Sequence, residues 1–164
     1  MRILGIVIGV VILLAAAAAA YVRFAPPPAP QPALTAAPPA SPNWALAAPP
    51  GVETAGAPTL EGPVYAATAE QVLAQLDAVA AAEPRVERLV AGPAERAYVQ
   101  RSALVAFPDL ISAAVVDLSG DAAAPRTGLV LYARSVYGRS DLGVNRARLE
   151  RWIAALDGRL AKAP

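Results

Sequence analysis

The sequence predicts an α+β fold. A small, mostly antiparallel, curved sheet carries two helices on one face in the order β-α-β-β-β-α, preceded by an N-terminal transmembrane helix and a Pro/Ala-rich linker. Three observations predict it: an uncharged apolar run at the N-terminus, a proline-crowded stretch after it, and then about 100 residues in which apolar patterns of period 2 alternate with two of helical period. The chain divides accordingly into 1–23, an anchor or signal segment, 24–63, a linker, and 64–164, the globular domain.

Residues 3–22 carry no charge and lie between Arg2 and Arg23. As a helix they extend roughly 30 Å, the thickness of a bilayer core. Tyr21 and Arg23 suit the interface of a retained single-pass anchor. A cleaved signal peptide ending near Ala18-Ala19-Ala20 is the competing reading, and a buried soluble helix a third. The first two both send the remainder across the membrane, so the domain is expected on the periplasmic or extracytoplasmic side of a bacterial envelope.

From Phe24 to Pro63 the chain holds 12 of its 17 prolines and only two charges, Glu53 and Glu61. Such a composition reads as a semi-flexible linker, locally polyproline II at Pro26-Pro27-Pro28. Ser41-Pro42-Asn43-Trp44 interrupts it; a lone Trp there reads as an arm (41–46) laid on the folded domain, or as an interface anchor.

In the folded part, Thr68 and Gln71 form a capping box ahead of Val72, Leu73, Leu76, Val79 and Ala80 at helical spacing, and Pro84 stops the helix. A short strand at 64–66 precedes it. Strand-like runs follow at 86–90, 97–104 and 110–118, separated by turn signals at Ala91-Gly92-Pro93 and Phe107-Pro108-Asp109. A fourth, 128–136, comes after the Ser119-Gly120-Asp121 turn. The last helix is expected from Asp141 or Leu142 to Leu160, with Leu142, Leu149, Trp152, Ile153, Leu156 and Leu160 on its apolar face.

The chain has no Cys and no His. Thiol catalysis, disulfides, the Ser-His-Asp triad and the usual zinc and haem sites are therefore excluded, and neither a metal nor a cofactor is expected. The apolar fraction of 56% misleads, because 41 of the residues are Ala. A net charge of +1 lacks the clustered basic excess of a nucleic-acid binder. The membrane is the expected partner; a protein or lipid partner stays unidentified.

The densest polar stretch of the folded part runs from Arg134 to Arg146. Asp141 is a natural N-cap for the last helix. Asn145, four residues before Leu149, should point inward, where a buried amide needs partners. Asn145 and Ser140 then tie the loop to a neighbouring strand as a clasp; alternatively Ser135, Arg139, Ser140, Arg146 and the helix N-terminus hold a polar ligand or anion. Arg101, beside Ser102 and in alternation with Val99, reads as solvated, ion-paired or turned inward. Arg146, Arg148, Arg151, Arg159 and Lys162 read as a solvated face, or as a contact for anionic headgroups. Asp109, Asp121 and Asp141 read as turn and cap residues; alternatively these three and Asp117 include a carboxylate pair for acid-base work.

The string Gly138-Arg139-Ser140-Asp141-Leu142-Gly143-Val144-Asn145-Arg146, with Gln100-Arg101-Ser102, Phe107-Pro108-Asp109 and Ser41-Pro42-Asn43, resembles the family called domain of unknown function 1499, over most of residues 41–160. Val136 stands where members often have Arg, and the Cys that many carry near the Pro-Asn element is missing. The resemblance implies an architecture and a frequent membrane anchor, and no activity. The expected function is thus a non-catalytic binding or structural module tethered to the envelope. A hydrolase or lyase using Ser140, Asp141 and Arg101 is the alternative, and a lipid-handling domain the second.

Overall fold

Period-2 and helical patterning resolve into three helices and a seven-stranded sheet, in a computed structural model that describes residues 2–122 and 124–164. The elements are α1 (Arg2–Phe24), β1 (Trp44–Ala48), β2 (Leu60–Glu61), β3 (Val64–Tyr65), α2 (Ala69–Ala82), β4 (Val86–Ala91), β5 (Glu95–Arg101), β6 (Pro108–Asp117), β7 (Thr127–Ser135) and α3 (Val144–Asp157). The sheet order is β2-β1-β7-β6-β5-β4, with β3 pairing β7 beyond the end of β1. All pairings are antiparallel except β1 with β2. The α+β class stands. The four runs expected after α2 are the strands β4 to β7, one more than the order β-α-β-β-β-α counts, and two further strands, β1 and β2, precede β3.

Those two come from the stretch expected to be linker. Residues 44–48 alternate as a buried strand should: Ala45 and Ala47 join the core under the helices, while Leu46 and Ala48 face the other way. β7 does the same, with Leu129, Leu131 and Ala133 on one side and Val130 and Tyr132 on the other. Both faces of the sheet are therefore covered. α2 and α3 seal one around Tyr65, Leu76, Tyr98, Ile111, Leu149 and Trp152. The Pro-rich segment seals the second, where Ala33 and Ala36 are buried against Leu46, Ala114, Val130 and Tyr132. A strap of proline and alanine gains little from each side chain, but it lies close, and the sheet supplies the larger partners. Gly62 belongs to the same covering: a Cβ there would meet the Ala48 carbonyl carbon at 2.6 Å.

α2 starts at the expected box. The Gln71 N–H donates to Thr68 Oγ1 at 3.3 Å, and the Thr68 N–H to Gln71 Oε1 at 2.9 Å. Its buried residues are Val72, Leu73, Leu76, Val79 and Ala80. α3 is shorter than expected. Its N-cap is Gly143, in the left-handed region at φ 81°, where Asp141 was expected. Leu142, placed on the apolar face by its spacing, lies before the helix and is 93% exposed. Leu149, Trp152 and Leu156 are buried as that face requires.

α1 lies almost wholly outside the packed body and is long and apolar enough to cross a membrane.

Candidate functional site

Register brings four polar residues into one row. Gln100 on β5 pairs with Asp109 on β6, and Asp109 pairs with Ser135 on β7. The Ser135 N–H donates to the Asn43 carbonyl at 2.9 Å just before β1. The row thus crosses one end of four neighbouring strands beneath α3, whose first turns lower Asn145 and Arg148 onto it.

The contacts close the row. Asn145, fully buried, donates through Nδ2 to the Asn43 carbonyl and to Ser135 Oγ, both at 3.1 Å. Its Oδ1 accepts from Arg148 Nη1. Arg148 spends its other two edges on Gln100 Oε1 at 2.5 Å and Asp109 Oδ2 at 2.6 Å. Gln100 passes the chain on, donating to the Pro84 carbonyl at 3.0 Å at the end of α2. On the far side, Asn43 Nδ2 donates to the Gly138 carbonyl at 2.8 Å, and Ser41 Oγ donates to Asn43 Oδ1 at 3.2 Å. A guanidinium presents its donors in a fixed planar fork, and here three acceptors from three elements meet it. Arg148 is 3% exposed, so its expected place on a solvated face is corrected. The signal was present: Arg148 stands four residues before Trp152 and three after Asn145, on the buried stripe.

Of the residues singled out from sequence, the structure brings Ser135 and Asn145 into this network. Asp141 supports it from outside: its carboxylate accepts from the Gly143 N–H at 3.0 Å and the Asn145 N–H at 2.9 Å, so it supplies the capping bonds without being the N-cap. Ser140 Oγ accepts from the Leu142 N–H at 3.2 Å. Arg146 points elsewhere, to Glu150 at 3.0 Å and to the Thr59 carbonyl at 2.9 Å. Arg101 and Ser102 belong to another place. The Arg101 guanidinium donates to the carbonyls of Val22 and Ala25, both at 3.1 Å, and of Ala106 at 3.2 Å. Ser102 closes the β5–β6 hairpin: its Oγ accepts from the Phe107 N–H at 3.0 Å and its N–H donates to the Phe107 carbonyl at 2.9 Å. Gln100 and Arg101, adjacent on β5, thus serve opposite faces of the sheet.

A second ionic cluster, unforeseen from sequence, joins α2 to the sheet. Asp77 accepts from Arg96 Nε at 2.9 Å, Arg88 Nη1 at 2.9 Å and the Tyr98 hydroxyl at 2.8 Å. Burial works to raise the Asp77 carboxyl, but the bonds from Arg96, Tyr98 and Arg88 outweigh it and hold the group below the usual carboxylate range. Burial and the Asp77 carboxylate push the Tyr98 hydroxyl up. Among the described residues, no group of three His, Cys, Asp or Glu side chains converges as metal ligands do.

Neither a curated protein nor a solved structure gives a match to the chain. A family model does, over residues 36–156. That span includes Asn43, Gln100, Asp109, Ser135, Asn145 and Arg148, every side chain of the row and of its helical cover. The chain belongs to the family described as protein of unknown function DUF1499.

Proposed function

We propose that this is a membrane-anchored, non-catalytic module whose polar network is a clasp. It holds the upstream arm, the sheet and α3 in one rigid body at the extracytoplasmic surface. The observation that carries the reading is the internal closure of the network. Asn145 and Arg148 bond each other, and their other polar groups described above are aimed at other parts of the fold, whereas a reaction centre keeps at least one such group turned to substrate. Ser140 and Asp141, the residues of the hydrolase alternative, are engaged with backbone N–H groups. Arg101, the third member of that set, bonds at the end of α1. Both sheet faces are filled, which also argues against a lipid-enclosing cavity. Residues 1–23 serve as the anchor, and the folded unit begins near Ala33, upstream of the boundary at Val64.

The test is fractionation of the full chain from cells. The expected result is retention at full length in carbonate-washed membranes, with the domain digested by protease added from the extracytoplasmic side. Recovery of a soluble chain lacking the first twenty or so residues would replace the anchor by a cleaved signal. For the clasp, Asn145→Ala should lower the melting temperature. A variant of unchanged stability that loses a bound small molecule would point to a ligand site instead.

A further inference from the structure

We propose that the tip of the β5–β6 hairpin, residues 102–107, is a second membrane contact. It rests in the headgroup region of the bilayer that α1 crosses and engages anionic phospholipid. The inference rests on the anchor reading above.

The tip is apolar and open. Leu104 is 93% exposed, and Val105 and Phe107 are about two-fifths exposed. The Phe107 ring lies 5.6 Å from that of Tyr137, itself partly exposed. Leucines of comparable size elsewhere in the sheet, such as Leu110, Leu129 and Leu131, are buried. A single exposed leucine is ordinary, but two aliphatics and an aromatic on one tip, with a second aromatic from the β7–α3 loop beside them, are the composition of an interfacial anchor.

Its position supplies the occupant. Arg101 donates from one guanidinium to the Ala106 carbonyl in the tip and to the Val22 and Ala25 carbonyls at the end of α1. The tip is therefore fastened at the level where the chain leaves the hydrocarbon. Between tip and helix lies a cleft of about 470 Å³, lined by Arg23, Phe24, Arg85, Ala103 and Ala106 among others. Three arginines border it, Arg23, Arg85 and Arg101, against one carboxylate, Glu87. None of the three forms an ion pair with a carboxylate among the described residues. Apolar side chains beside guanidinium groups fit the boundary between acyl chains and phosphate headgroups.

Because the chain has no Cys, one introduced thiol takes a nitroxide cleanly. The full chain is reconstituted in vesicles of phosphatidylcholine and phosphatidylglycerol, labelled singly at Leu104→Cys, Ile12→Cys or Asp121→Cys. Accessibility is then read with oxygen, which enters the bilayer, and with a nickel chelate, which does not. The expected oxygen-to-nickel ratio is several-fold higher at positions 12 and 104 than at 121, with 104 the shallower of the two. A ratio at 104 equal to that at 121, with 12 still in lipid, overturns the docked tip and leaves the anchor standing. Nickel access at 12 overturns the anchor, and the proposal with it. Position 104 shielded from both reagents, with spin–spin broadening between copies, assigns the tip to a second copy and overturns the lipid contact. Replacing phosphatidylglycerol by phosphatidylcholine should move 104 toward water, and Arg23→Gln with Arg85→Gln should abolish that dependence. If the dependence persists in the double variant, the arginines are not the headgroup contacts.

Discussion

Arg148 is the residue on which the most elements meet, and removing it leaves the most behind. Arg148→Met keeps much of the stem but strands the Asp109 carboxylate and the acceptors of Gln100 and Asn145 in a buried row. A cost of about 3–5 kcal/mol is expected from breaking a buried pair, read as a fall in the urea midpoint. Asn145→Ala should cost about 1–3 kcal/mol, the penalty of unpaired buried partners. Asp77 sets a pH dependence. Its carboxyl titrates lower in the folded chain than the 3.8 of a free side chain, so the stabilisation is complete above that value and is lost as pH falls through the folded value. Urea unfolding between neutral pH and pH about 3 should show that acid limb, and Asp77→Asn should flatten it while weakening the fold at neutral pH. At this scale Asn145 was legible because its spacing from Leu149 forces it inward. Arg148 obeyed the same spacing but was read by type, since an arginine is seldom buried. Its partners Gln100 and Asp109 lie far off in sequence, and only strand register brings them near.

Among the elements, α2 was legible to the residue. Its cap, apolar stripe and stop are all local, and local chemistry is what a single sequence displays. β1 was not. WALAA is short, rich in Ala and set among prolines, and nothing within it announces β7, about ninety residues on. Composition alone argues that the strap cannot order itself, and by itself it would not. Burial against a face already built by Leu46, Val130 and Tyr132 supplies what its own side chains lack. Ala36→Asp should therefore act like a core substitution, since it places an unpaired carboxylate at a 2% exposed position. A loss of several kcal/mol and increased binding of a hydrophobic dye would register it. Gly62→Ala, which drives a methyl group into β1, should cost about 1–3 kcal/mol by overpacking.

For the whole molecule, Arg101 joins the end of the apolar helix α1 to the domain. Arg101→Gln should leave the melting temperature close to that of the parent chain, since the core beneath the helices does not include it. The change should instead free the connection after Phe24, so protease cutting between Phe24 and Ala33 in reconstituted vesicles should speed up. The opposite pattern, a large drop in melting temperature without faster cutting, would place Arg101 in the core's support. The apolar helix α1 was legible because twenty uncharged residues need no context. The docking of its end against the hairpin was not, because an arginine that bonds backbone carbonyls leaves no mark in the identity of its partners.

The place of β1 in the sheet bears on how the chain matures. The strand is synthesised early, but its neighbour β7, with which Trp44 pairs at Arg134, comes almost last. Until β7 is made, β1 lacks the strand it pairs with and the strap lacks Val130 and Tyr132, while β4, β5 and β6 pair with one another without either. Closing so wide a loop is slow compared with hairpin formation. The expected order of events is thus meander first and N-terminal strand last. Insertion of β1 beside β7 is then the step that brings the chain leaving α1 onto the finished sheet.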